Sequence, residues 1–225
     1  AYIVKNAFRS FPEGTIHIIG VDSELTPENR HLAMLLDGHY FICADNGILS
    51  MLCAEKKPEK IVAINTYQET QDNFPVKSVF TKIACHIDRG GNLDVIGKPF
   101  DHLKEVTNIV PVVNHDESLI VGNVLYIDNY GNVVTNITRD FVTQIAKGRA
   151  YKVMVRNYSF DRVFNSYSEF VNFEMAKEKR QDDGRRLALY NSNHNLEIAI
   201  YRSNLDTVGG ASSLLGLGYR DSVSI

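Results

Sequence analysis

Asp128-Asn129-Tyr130-Gly131-Asn132 places an anion, an aromatic face, a glycine and two amides in five consecutive positions. Tyr130 offers a face on which a planar base can stack, Asn132 a paired donor and acceptor for a base edge, and Asp128 a carboxylate for a cationic amine. Asp, Asn and Gly are also turn formers, so a hairpin turn explains the same residues, and the two readings are compatible. A second polar turn, Asn191-Ser192-Asn193-His194-Asn195, is open to the same pair of readings. If it lies beside the first, Ser192, Asn193 and the local amides can hold a carboxylate. Asp22 ends an apolar run, and ligands of α/β sheets bind beyond the carboxyl ends of strands, which makes it the best single acidic candidate beside a loop-ordering role.

Other polar clusters point away from chemistry. Gly209-Gly210-Ala211-Ser212-Ser213 lacks the lysine and the strand-loop-helix order of a phosphate loop, so it reads as tight small-residue packing. His86 reads as a packed or surface histidine. Cys43, Cys53 and Cys85 have no C-x-x-C spacing and fit neither a disulfide framework nor a zinc site, so no metal is expected. They read as buried thiols in a reducing, cytoplasmic compartment.

The elements that must position these residues follow from composition and periodicity. With 44% hydrophobic and 23% charged residues among 225, the chain can bury a core, which excludes a disordered or collagen-like polymer. A net charge of −3 leaves no basic surplus to neutralise phosphates, so nucleic acid is not an expected partner. The longest apolar runs fall far short of the ~20 residues of a membrane span. Tyr2 to Phe11 has the apolar spacing of an amphipathic helix. Thr15 to Asp22 then reads as a strand buried on both faces of a largely parallel sheet. His31 to Leu36 and His39 to Cys43 flank Asp37-Gly38, a strong hairpin signal. Ile48 to Ala54 reads as a short helix, Lys60 to Asn65 as a strand and Val76 to Arg89 as a helix stopped by Gly90-Gly91. From Ser118 the texture turns to strands: 119–127, 132–137, 150–156, 187–191 and 196–201, interrupted by a helix at Arg139 to Ala146 and a solvated, charge-dense loop at Lys177 to Arg186. The expected fold is therefore an α/β N-terminal domain, 1–110, plus a C-terminal β-barrel-like domain, 111–225.

Five stretches, taken in order, resemble one family: Phe11-Pro12-Glu13-Gly14-Thr15-Ile16-His17, Gly38-His39-Tyr40-Phe41, Asp45-Asn46-Gly47-Ile48-Leu49-Ser50, Tyr126 to Ile137 and Leu196-Glu197-Ile198-Ala199. Together they are similar to the S-adenosyl-L-methionine hydroxide adenosyltransferases, relatives of the fluorinating and chlorinating enzymes. The I-D-x-[FY]-G-N-x-x-T-N-I stretch is the most specific. The resemblance implies a homotrimer with sites between subunits, and an opening strand with a T-D-F-G motif that lies outside this chain. It implies S-adenosylmethionine as substrate with no separate cofactor, attacked at its 5′-carbon by water-derived hydroxide. It assigns Asp128 to the methionine amine, Tyr130 and Asn132 to adenine, and Ser192 to the methionine carboxylate. The family's water-activating Asp-Arg-His set matches here only at Asp22. The arginine falls at Asn29, with Arg30 adjacent as the catalytic candidate if the Ser23 to Asn29 loop shifts it, and the histidine falls at Pro75, which has no side-chain proton to relay. Slow hydrolysis to adenosine and methionine is thus the leading expectation. A catalytically weak or inactive adenosyl-ligand binding protein on the same scaffold is the alternative, and a trimer without ligand is a third reading.

Overall fold

The computed structural model describes residues 1–54, 56–66, 73–107 and 109–225, in two compact units, Ala1–Asn108 and Ile109–Ile225. In the first unit the order is α1 (Tyr2–Ala7), β1 (Ile16–Ile19), β2 (His31–Leu36), β3 (His39–Ala44), α2 (Ile48–Leu52), β4 (Lys60–Ile64), α3 (Thr81–Asp88), α4 (Leu93–Ile96) and β5 (Gly97–Pro99). A π-helical turn, Val76–Phe80, leads from Pro75 into α3. Asp37 and Gly38 take φ of +53° and +71°, the left-handed pair that a two-residue hairpin needs to match strand twist. Register from His31↔Ala44 to Leu36↔His39 follows.

These strands form one sheet in the order β1-β3-β2-β4-β5. Only β1 and β3 run parallel; β2 is antiparallel to both neighbours and β5 to β4. The expected largely parallel sheet is therefore corrected to a mixed one, with β1 at its edge and shorter than the apolar run that suggested it. The two-sided burial expected of Thr15 to Asp22 fails too, since Ile18 on this edge strand and Val21 just after it are exposed, and it is the central strands that are covered on both faces. Ala33, Ile42 and Val62 pack on Val79, Phe80 and Ile83 on one face. Leu32, Met34 and Phe41 pack on Phe8, Leu49 and Leu52 on the other. Layers on both faces produce continuous apolar strands whatever the direction of pairing. Cys43 is buried, Cys53 half-buried and Cys85 exposed, so the expectation of three buried thiols holds in full only for Cys43.

The second unit runs β6 (Val112–Val113), β7 (Ile120–Ile127), β8 (Val133–Thr138), α5 (Arg139–Ala146), β9 (Val153–Val155), β10 (Tyr158–Phe160), β11 (Val163–Phe164), α6 (Tyr167–Phe170), β12 (Arg186–Tyr190), β13 (Asn195–Ile200), α7 (Ala211–Leu215) and β14 (Ser222–Ser224). The sheet order is β10-β9-β14-β7-β8-β13-β12-β11, with β6 paired to β7, and the sheet is a nearly closed barrel. Register breaks between Val124 and Tyr126 and between Asn195 and Glu197 supply the bulges with which a sheet curls. Val124, Val133, Ile137, Val153, Leu196 and Ile198 belong to the interior cluster. Outside, Leu187, Leu189 and Ala199 are covered by Phe164 and Phe170. Among the described residues no helix is long and apolar enough to cross a membrane.

Candidate functional site

The turn between β7 and β8 is built by its own aspartate. Backbone N–H groups of Tyr130 and Asn132 donate to Asp128 Oδ1 at 2.8 and 2.9 Å, and Asn132 Nδ2 donates to Oδ2 at 2.9 Å. Gly131 N donates to Asp128 O at 3.0 Å, and Asp128 N to Asn132 O at 3.1 Å. Gly131 has φ +73°, and a Cβ on it would stand 2.8 Å from Gly210 Cα. Ser212 N donates to Gly131 O at 2.9 Å, so the small residues before and within α7 pack on this turn as their size suggests. The turn reading is thus fully realised. It also fixes a carboxylate beside a tyrosine ring that is 70% exposed.

The turn between β12 and β13 repeats the construction. Asn193 N and Asn195 N donate to Asn191 Oδ1 at 3.0 and 3.1 Å. His194 N donates to Asn191 O at 2.9 Å, and Asn191 N to Asn195 O at 3.0 Å. His194, with φ +59°, stands where the other turn has Gly131. Ser192 is exposed and Asn193 half-buried.

Between these turns lies a carboxylate that the sequence did not single out. Register places Val134 opposite both Tyr126 and Glu197, and Glu197 opposite Leu189, so the four share one face of the sheet. Glu197 is only 8% exposed. It accepts from Tyr167 Oη at 2.7 Å and from Asn191 Nδ2 at 3.1 Å. Burial pushes its carboxyl above the usual range and the charge of Asp128 adds to the push, while the two hydrogen bonds work against it. Burial, with Glu197 next, pushes the Tyr167 phenol up. A lone charge inside the apolar strand Leu196 to Ile200 was the available signal for Glu197. Tyr167, on a single helical turn thirty residues away, gave none.

In the first unit Asp22 is exposed, with φ +44°. Asn29 Nδ2 donates to Asp22 O at 2.8 Å and to Glu24 O at 3.1 Å, and His31 Nε2 donates to Ser23 O at 2.9 Å. Asn46 Nδ2 donates to Val21 O at 2.6 Å. Four consecutive carbonyls after β1 are thus gripped by side chains. Asn29 is buried, and its Oδ1 has no partner among the described residues. Asn29 therefore clamps the loop backbone. Arg30 lies over the Phe100 ring, 5.8 Å from its centroid. Pro75 stands immediately before the π-helical turn. Among the described residues no group of three or more His, Cys, Asp or Glu could hold a metal ion.

A solved structure of an uncharacterized conserved protein from Thermotoga maritima superposes with TM-score 0.78 at 23% identity, covering 99% of this chain and 81% of that one. A conserved hypothetical protein from Thermus thermophilus gives 0.69 at 20% identity, covering 99% and 78%. Both likenesses concern the fold. The (R)-S-adenosyl-L-methionine hydrolase of Methanocaldococcus jannaschii is 23% identical over 227 residues, spanning 100% of this chain and 76% of that protein. The model of the SAM hydroxide adenosyltransferase N-terminal domain matches residues 1–97, and that of the C-terminal domain matches residues 122–224. With both models matched in order, and the clamped Asp128 turn inside the second, the chain belongs to the SAM hydroxide adenosyltransferase family.

Proposed function

We propose that this protein binds S-adenosylmethionine and transfers its adenosyl group to water-derived hydroxide, giving adenosine and methionine. The observation that carries the reading is the Asp128 turn: a carboxylate fixed by three hydrogen bonds beside an open tyrosine ring. That pairing suits a ligand with a cationic amine at one end and a planar base at the other. Asp128 Oδ2 keeps a lone pair for the amine. Tyr130 stacks on adenine, and Asn132 meets the base edge through Oδ1, since its Nδ2 is directed at Asp128. Ser192 and Asn193 take the methionine carboxylate.

In the reaction the water oxygen bonds to C5′ as the C5′–S bond breaks. The bonding pair passes to sulfur, so methionine leaves as a neutral thioether, and the water proton passes to a base. Asp22 is the residue we assign to that proton. Arg30, the other candidate, would have to leave Phe100 to assist it. Both amide N–H groups of Asn29 are engaged by backbone carbonyls and Pro75 has none to offer, so little else in the set can help. A positioned acid or base is worth about 10² to 10⁴ in rate, which makes slow turnover the expectation. The same observation favours one alternative, an adenosyl-ligand binding protein with little turnover.

Incubation with S-adenosylmethionine, followed by chromatography for adenosine and methionine, tests this. Slow adenosine release that Asp22→Asn abolishes supports the enzyme reading. Binding without adenosine over many hours supports the alternative. We further propose a homotrimer; light scattering on the same sample should give three chains per particle, and a monomer at micromolar concentration removes it.

A further inference from the structure

We propose that Glu197 is a positioning residue for the amino-acid end of S-adenosylmethionine: it orients the amide that shapes the Asn191 turn and, with Asp128, makes a two-carboxylate site whose counter-charge is the ligand's ammonium. This rests on the reading of the Asp128 turn given above and adds a residue to it. Three observations carry it. First, Glu197 accepts from Asn191 Nδ2, and the Oδ1 of that same amide holds the backbone of Asn193 and Asn195. One carboxylate therefore sets the orientation of the amide that shapes the second turn. Second, Tyr167 caps it at 2.7 Å, leaving the carboxylate buried with directional partners on two sides. Third, among the described residues no lysine, arginine or histidine acts on Glu197. The groups that do are Tyr167 on α6, Asn191 on the β12–β13 turn and Asp128 on the β7–β8 turn. Register sets Glu197 on the sheet face of Val134 and Tyr126, two residues before Asp128, and a buried carboxylate in the field of another without a cation is costly. An arriving ammonium relieves that cost, and an uncharged nucleoside does not.

The consequence is a coupling of ligand charge to the protonation of Glu197. An ammonium stabilises the ionised carboxylate, so binding draws a proton off Glu197 wherever the empty site holds one. Affinity for S-adenosylmethionine should then rise with pH until Glu197 is ionised in the empty protein as well. Affinity for adenosine should stay flat. Losing a charge-assisted interaction of this kind weakens binding about tenfold or more.

Calorimetric titration of the full chain with S-adenosylmethionine and with adenosine, from pH 5 to 8 and in two buffers of different ionisation enthalpy, provides the test. Wild type should release protons on binding S-adenosylmethionine and none on binding adenosine. Glu197→Gln should bind S-adenosylmethionine about tenfold more weakly at neutral pH, with the pH slope gone and adenosine affinity intact. Tyr167→Phe keeps the carboxylate but removes the hydrogen bond that favours its ionised form, so the pH slope should persist with its midpoint moved upward. This second variant carries the test if Glu197→Gln does not fold. Wild-type affinity and pH slope retained in Glu197→Gln, or an unmoved midpoint in Tyr167→Phe, overturn the role of Glu197 and leave the proposed function standing. A wild-type chain that binds neither ligand overturns both.

Discussion

Tyr130 is exposed because the turn beneath it is satisfied by Asp128 and leaves the ring nothing to pack against. An exposed ring on a rigid turn contributes little to folding, and removing it should leave stability almost unchanged. The expected cost falls on the ligand: Tyr130→Ala should weaken adenosine binding by about 1–3 kcal/mol, the worth of a base-stacking face. Calorimetry on the folded variant measures it, and unchanged affinity would remove Tyr130 from the site. The same reasoning separates Asp128 from Asn29. Both are side chains that hold loop backbone, but Asp128 is half-buried beside an open tyrosine ring, while Asn29 is buried with its donors used on Asp22 O and Glu24 O.

At the scale of elements, the two turns show how one geometry is reached from different residues. Each uses a side-chain oxygen to hold the N–H groups two and four positions on, and each needs one left-handed residue, Gly131 in one and His194 in the other. Left-handed backbone alone costs a non-glycine residue about 1–2 kcal/mol. His194 tolerates it in an open turn. Gly131 cannot be replaced so cheaply, because Gly210 packs where its side chain would go, and overpacking adds about 1–3 kcal/mol. Gly148, with φ +84° and nothing within 4 Å of the place a Cβ would take, is the control. Gly131→Ala should therefore destabilise the protein more than Gly148→Ala, by roughly that overpacking increment. Urea denaturation of the two variants compares them, and equal losses would mean that the α7 segment yields to the turn.

For the whole molecule the pH dependence of stability sums opposing groups. His17 faces His39, with Nε2 and Nδ1 3.2 Å apart, and lies among Phe8, Phe11 and Phe41. Burial first, and His39 second, lower its pKa. A depressed histidine binds fewer protons in the folded state, so its contribution is lost as pH falls below the ordinary histidine range. Glu197 acts in the other direction. Its folded pKa is raised, so stability is lost as pH climbs from the ordinary glutamate value through the folded one. Glu197→Gln should consequently gain stability relative to wild type at pH 8 and gain nothing at pH 4. Thermal denaturation at the two pH values checks it; an equal change at both would mean that the effect is packing and not charge.

Sequence alone determined the features that short-range physics encodes. The helix Arg139–Ala146 has the bounds read for it, because Thr138 caps its first turn and Lys147 and Gly148 take left-handed backbone after its last. The Asp37-Gly38 hairpin formed for the same reason, and the motif from Tyr126 to Ile137 was specific enough to point to the family. Tertiary structure decided what depends on distant partners. A continuous apolar run carries no record of strand direction, so the hairpin turn made the antiparallel pairing of β2 with β3 legible while the antiparallel placement of β4 beside β2 was not. Nor was the meeting of Glu197 with Tyr167 and Asn191, or the engagement of Asn29 with the loop after β1. Those arrangements depend on where folding carries each segment, and no local period or spacing records that.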